Sequence, residues 1–144
     1  MAHRKKKRIR PQETATPAVT SLPPPDFQSP IRLSFRHVTA GRNYCLSLCT
    51  QGEVRDAVDC LRMLTTMPWI EVLKSGGKGK NKAGLGYTPY PDSCLRKVTR
   101  PKGLSDEVKI AGVRMQQKGR IFGYYMKHVF HLLWFDRNHD IVPA

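Results

Sequence analysis

Arg120-Ile121-Phe122-Gly123-Tyr124-Tyr125-Met126-Lys127-His128-Val129-Phe130-His131-Leu132-Leu133-Trp134-Phe135-Asp136 is the stretch that decides the fold. It contains two runs rich in aromatic and branched apolar residues, Arg120 to Tyr125 and His128 to Phe135. Such runs are strands, and Met126-Lys127 between them is short enough for a tight reversal. A third run, Val108 to Met115, leads into Gln116-Gln117-Lys118-Gly119, a turn composition. Three strands joined by short turns form a meander. Asp136-Arg137-Asn138 then turns the chain, and His139 to Val142 finishes it.

Working outward, the pattern changes period. Ile31, Leu33 and Phe35 alternate with Arg32, Ser34 and Arg36, which predicts a strand over Ile31 to Val38. Tyr44 to Cys49 is a shorter second candidate, the end of a hairpin or a lead-in to a helix. Thr50 has the character of an N-cap, with Glu53 completing a capping box. Val54, Ala57, Val58, Leu61 and Leu64 follow at helical spacing, and the helix ends near Thr65-Thr66. Pro68 opens a second short helix to Lys74, with Trp69 and Val72-Leu73 facing inward. Ser75 to Thr88 is rich in Gly and Lys and reads as a basic loop too polar to pack. Its Gly79-Lys80 is followed by Asn81, and it follows a helix, so it is not a phosphate-binding P-loop. Helices grouped before a meander imply an α+β fold. The expectation is an antiparallel or mixed sheet of about four strands with two N-terminal helices packed on one face.

The 144 residues fit one domain at 31–144, preceded by an arm at 1–30. Arg4, Lys5, Lys6, Lys7, Arg8 and Arg10 form a basic block in that arm, and a linker with Pro23-Pro24-Pro25 follows. The arm lacks the apolar area to offset the entropy of ordering it. The whole chain carries 25 Lys and Arg against 11 Asp and Glu, a net charge of +14. That imbalance points to a polyanionic partner. Arg4, Lys5, Lys6, Lys7 and Arg8 of the arm, with Lys78, Lys80 and Lys82 of the loop, are the candidate phosphate contacts. The basic start runs into Gln12-Glu13-Thr14 and prolines rather than an apolar stretch, so no signal peptide is expected. A cytoplasmic protein with reduced thiols follows. Cys45, Cys49, Cys60 and Cys94 are too scattered for a zinc ribbon and read as free thiols. No metal or cofactor is expected. No apolar run reaches the ~20 residues that span a bilayer, so no membrane partner is expected.

The run Gly119 to Tyr124, then Val129 to Asp136, then His139, resembles the C-terminal meander of RelE/ParE-type toxins of bacterial toxin–antitoxin modules. More closely the chain is similar to uncharacterised small prokaryotic proteins of the same C-terminal pattern, which Leu33-Ser34-Phe35, Met67-Pro68-Trp69 and Gly84-Leu85-Gly86-Tyr87 also match; the resemblance covers about residues 31–142. The arm departs from the pattern. The resemblance implies a RelE-like fold and a metal-independent endoribonuclease, acting on free RNA or on the ribosome. It also implies an acidic, antitoxin-like protein partner.

Cleavage by 2′-hydroxyl attack needs a base, cations for the phosphorane charge and an acid for the leaving oxygen. One sheet face can supply all three, because alternate residues of a strand share a face. Phe130, Leu132 and Trp134 form an apolar side suited to the helix-covered core. His131 lies on the other side with Val129, Leu133 and Phe135. Arg114, Arg120, Tyr124 and His131 are therefore expected to converge on an open face, with His139 reaching its edge. In this reading the arginines hold phosphate, the histidines move protons and Tyr124 orients the substrate. Asp136 either caps the turn or holds His139 or Arg137. Other functions compatible with the same sequence are a non-catalytic nucleic-acid-binding or ribonucleoprotein subunit and a ParE-like inhibitor of another enzyme.

Overall fold

The computed structural model describes residues 27–75, 84–116 and 118–143. Its centre is the meander. Strand β3 is Ile110–Arg114, β4 is Arg120–Met126 and β5 is Val129–Asp136. Lys127 and His128 join β4 to β5 with φ of 51° and 66°, the paired left-handed residues of a two-residue hairpin turn that suits sheet twist. Two further strands flank the meander. β1, Arg32–Ser34, runs parallel to β5, and β2, Thr88–Tyr90, runs antiparallel to β3. The described residues thus form a five-stranded mixed sheet in the order β1-β5-β4-β3-β2, with both helices between β1 and β2 in the chain.

The first helix, α1, spans Gln51–Thr66 and carries the expected capping box: Thr50 Oγ1 accepts from Glu53 N, and Glu53 Oε1 accepts from Thr50 N. The second, α2, is Trp69–Lys74, with Pro68 at its N-cap. Ala57, Cys60, Leu61 and Leu64 of α1, and Trp69 and Val72 of α2, pack against Ala111, Val113, Ile121, Phe130, Leu132 and Phe135 of the sheet. Trp69 stacks on Tyr125 at 4.6 Å and meets Tyr87 edge-on at 5.3 Å. Val58 and Leu73, expected inside, are exposed.

Several expectations are corrected. The sheet has five strands rather than about four. β1 stops at Ser34, because the chain turns back there: Ser34 Oγ accepts from Arg36 N and Phe35 O from Val38 N. Leu46–Leu48 is a single 3-10 turn leading into α1 rather than the end of a hairpin, with the Cys45 sulfur accepting from Ser47 N. Residues 84–88 pack despite the polar loop before them. Leu85 and Tyr87 are buried, and Leu85 O accepts from Arg114 N. β2, which no expectation placed at 88–90, holds Pro89, and proline is tolerated on a sheet edge, which is where β2 lies. The chain is already anchored before residue 31, since Phe27 O and Ser29 O accept from Ile70 N and Trp69 N of α2. Lys78, Lys80 and Lys82, like Arg4, Lys5, Lys6, Lys7 and Arg8, lie outside the described residues.

The largest correction concerns the second face of the sheet. A bulge at Phe122/Gly123 pairs Phe122 with Trp134 but Gly123 with Leu132, so β5 carries one extra residue. Alternation therefore resets. Phe135 turns to the helices, and Trp134 joins Leu133 on the opposite side. That side is not open. Leu95, Val98, Leu104, Val108 and Ile141 cover Ile110, Phe122, Tyr124 and Leu133 as a second core. The cover is pinned at its polar rim. Arg100 pairs with Asp92 at 3.1 Å and donates to Ser105 O and Val108 O. Lys97 pairs with Asp140 at 2.7 Å.

Candidate nucleic-acid site

Because the middle of the second face is covered, the candidate residues lie toward its two ends, and one of them, Tyr124, is itself buried. β-Ladder register explains the division. Arg114, Arg120 and Asp136 stand side by side on β3, β4 and β5. Tyr124 and His131 form another row with Ile110 and Ser34. Four residue steps along β4, from Arg120 to Tyr124, separate the rows, a distance of about 13 Å at ~3.3 Å per residue. The five residues expected to converge thus form two groups, and Phe122 and Trp134 lie between them.

The arginine end holds Arg114, Arg120, Asp136 and His139. Like charges directly opposite each other are unfavourable in a sheet. The neighbouring cation shows in Arg120, whose pKa is lowered first by burial and then by Arg114, while Tyr90 and Asp136 work the other way. Arg120 also donates to Gly119 O at 3.0 Å and hydrogen-bonds the Tyr90 side chain. Tyr90 reaches it by lying across β3 at Gly112, where a Cβ would stand 3.1 Å from the ring. Arg114 lies against Gly86 in the same manner, its Nη2 3.1 Å from where a Cβ would be. Asp136 is 1% exposed; its Oδ2 accepts from Ile141 N at 2.7 Å, and its Oδ1 has no partner among the described residues. That bond fixes the C-terminal turn, which presents His139 with φ of 55°. A left-handed non-glycine residue is held there only when its surroundings demand it. Burial holds the His139 pKa below its ordinary value and Arg120 adds to the effect, with Asp136 opposing. Both effects favour the neutral form of half-buried His139, the form able to accept a proton.

The other end holds a group that sequence reasoning found only in part. His37 Nε2 and Tyr124 Oη are 2.7 Å apart, with the direction of the proton set by the tautomer. Tyr124 stacks on His131 at 4.7 Å, and the two imidazole centroids are 6.0 Å apart. Burial lowers the pKa of both histidines; Arg36 lowers both further, and His37 lowers His131. Burial raises that of Tyr124 against the pull of Arg36. His131 Nδ1 is buried without a partner among the described residues. Strand alternation over 31–38 places His37 with Ile31 and Leu33, on the apolar side, which hid it. Only the turn after Ser34 carries it to Tyr124. Tyr90 was hidden for a related reason, since its strand is three residues long and contains a proline.

A third feature ties α1 to the end of β5. Arg137 Nε donates to Glu53 Oε1 and Oε2 at 2.9 and 3.0 Å. Arg137 and the Thr50 N–H hold the Glu53 carboxyl down at about 2. Arg137 is thereby committed to structure, and the turn that carries His139 is braced from its helix side. Among the described residues no group of three or more His, Cys, Asp or Glu side chains is disposed to hold a metal ion, and no helix is long and apolar enough to cross a membrane. All four cysteines are free.

No protein-family model, curated protein or solved structure matches the chain. Its own geometry is the ground on which a function rests.

Proposed function

We propose that this is a basic, cytoplasmic RNA-binding protein that cleaves RNA by 2′-hydroxyl attack without a metal, in the manner of a RelE/ParE-type toxin held in check by an acidic antitoxin-like partner. The observation that supports it most is the cross-strand row Arg114–Arg120–Asp136 with His139 beside it. Two guanidiniums set side by side are relieved by an anion, and a phosphodiester fits their planar forks. A neutral imidazole stands next to them. In this reading His139 takes the 2′-proton as the 2′-oxygen bonds to phosphorus. Arg120 and Arg114 carry the charge that builds on the equatorial oxygens. The bond to the 5′-oxygen then breaks, and the Tyr90 hydroxyl supplies the proton that oxygen needs. The phenolate left behind is paired with Arg120 until it is reprotonated. The products are a 2′,3′-cyclic phosphate and a 5′-hydroxyl. At the far end of the face His131 and His37 contact the substrate rather than the reacting atoms, and buried Tyr124 positions the two rings. The +14 charge supports the choice of polyanion and the preference for an acidic protein partner.

Purified protein incubated with end-labelled RNA in EDTA, free and on ribosomes, tests the reaction. Cyclic-phosphate ends that disappear with Arg120→Ala are expected. Absence of cleavage in both settings removes the catalytic reading and leaves a binding protein.

A further inference from the structure

His37 also lines a cleft of about 300 Å³ between the segment after β1 and the loop that covers the second face. His37, Arg42, Tyr44, Thr99, Lys102 and Trp134 are among its lining residues. We propose that this cleft is a nucleotide-binding subsite, taking one base against Trp134 and its phosphate between Arg42 and Lys102. The proposal rests on the reading of the protein as RNA-binding and not on cleavage.

Four observations carry it. The volume lies at the small end of ligand pockets, about one nucleotide rather than a longer segment. Trp134 is only half-buried, unlike Trp69 at 2% exposed. The bulge that brings Trp134 to this side therefore presents an indole at the cleft, and aromatic rings bind bases of any sequence by stacking. Arg42 and Lys102 come from separate loops, and among the described residues no carboxylate pairs with either. No carboxylate is among the lining residues, and Asp140, which the lining residue Tyr44 reaches, is already occupied: Lys97 Nζ and Tyr44 Oη both donate to it at 2.7 Å. It does not compete for the two cations. Finally, the wall is backbone-strained where it meets the ligand space. Tyr44 has φ of 61° and is locked there by Asp140 and by Phe135 N donating to its carbonyl at 2.7 Å. Non-glycine residues persist in that conformation where surroundings over-determine them, commonly at ligand sites.

Position joins the cleft to the arginine row. Trp134 is two residues before Asp136 on β5, about 7 Å along the strand. The two places can be spanned by one short strand of RNA, with the nucleotide in the cleft flanking the phosphate at Arg120. A free mononucleotide presents the same base and phosphate, and the experiment separates the two sources.

The full chain is titrated with adenosine and uridine monophosphates, with ribose 5-phosphate and with a short single-stranded RNA, and tryptophan emission is read. Trp69 is sealed in the helix-side core, so quenching reports Trp134. Saturable quenching by the mononucleotides and the RNA is expected, with little from ribose 5-phosphate, which has no base. The Arg42→Ala/Lys102→Ala double variant changes only exposed side chains and should raise Kd about tenfold or more while keeping the wild-type melting temperature. Trp134→Phe should abolish the signal, with a binding measurement by calorimetry retaining most of the affinity because a phenyl ring still stacks. RNA binding much tighter than the mononucleotides assigns the cleft to a strand; equal affinities assign it to a free nucleotide. No quenching by any ligand, ribose 5-phosphate acting as well as the nucleotides, or an unchanged Kd in the double variant overturns the proposal. Binding without RNA cleavage removes the proposed reaction and leaves the cleft; cleavage without quenching does the reverse.

Discussion

Replacing Gly123 with alanine tests the feature on which the placement of both candidate ends depends. A Cβ at Gly123 would stand 2.4 Å from His131 O and 2.5 Å from Phe130 Cε1. The first of these is backbone, so the clash cannot be relieved by a rotamer change. Either β5 moves away from β4 at the bulge or Phe130 leaves its place in the helix-side core. Overpacking of this kind costs about 1–3 kcal/mol, and each ladder bond lost adds about 1 kcal/mol. The stiffer unfolded chain returns about 0.4–1 kcal/mol. The net is a loss of about 2–3 kcal/mol, or roughly 10 °C in melting temperature for a domain of this size. Gly52→Ala is the control. Nothing lies within 4 Å of its Cβ on α1, so it should stabilise by up to about 0.5–1 kcal/mol. Urea and thermal melts followed by circular dichroism read both. A Gly123→Ala protein that melts within about 2 °C of wild type, with Gly52→Ala behaving as expected, refutes the β4–β5 register. Trp134 would then not face the cleft, and the rows at Arg120 and Tyr124 would need reassigning.

Arg120→Ala should cut RNA cleavage by roughly 10²-fold or more, while filter binding to RNA falls far less because other cations hold the backbone; equal losses in both would make Arg120 a binding residue only. His37, His131 and His139 are all held below their ordinary pKa in the folded protein, so the unfolded chain takes up protons first. The stability they contribute is complete above their unfolded value of about 6.5 and drains away as pH falls through it toward the folded values. Urea midpoints should drop between pH 7.5 and 5 and flatten in His131→Gln, and a midpoint that rises on acidification contradicts this. Glu53 acts in a lower window: its contribution is present above its ordinary 4.5 and is lost as pH falls toward about 2, so Glu53→Gln should leave the histidine-dependent drop intact. Deleting residues 1–26 should leave the melting temperature unchanged and flatten the salt dependence of RNA binding. Deletion through residue 30 should lower the melting temperature, because Phe27 O and Ser29 O accept from α2.

How much of this was legible in the sequence follows from the range of the interactions concerned. The capping box at Thr50 and Glu53, the span of α1 with Ala57, Leu61 and Leu64 buried, and the two long strands of the meander are local patterns, and they stand where the sequence puts them. The α+β class follows from their order. What was hidden depends on contacts distant in sequence. A bulge is one residue counted against a partner strand, and nothing in Leu132-Leu133-Trp134 announces it; its marker is Gly123 opposite, which makes room for Phe130. The cover over the second face has no periodicity, since Leu95, Val98, Leu104 and Val108 come from turns that Arg100 gathers around its guanidinium. β2 is short and contains Pro89, so propensity speaks against it while edge position permits it.

The same long-range contacts change what the site residues can do. An open sheet face would have set Arg114, Arg120, Tyr124, His131 and His139 around one substrate atom. The cover divides that face, and each end acquires a residue the strand pattern did not offer: Tyr90 at the arginines, His37 at Tyr124 and His131. Each end then has a neutral imidazole and a tyrosine, but only one has two cations in register. Phosphoryl transfer needs charge stabilisation at the reacting phosphate more than it needs a second base. In the proposed reaction that asymmetry sends the chemistry to Arg120. The His37 end, with Arg42 and Lys102 beyond it and Trp134 between the two, is then left for the proposed neighbouring nucleotide. If the ends were instead interchangeable, His131→Gln and His139→Gln would depress cleavage equally. The proposed reaction requires that His139→Gln lower the rate constant and that His131→Gln raise the substrate concentration needed to reach it.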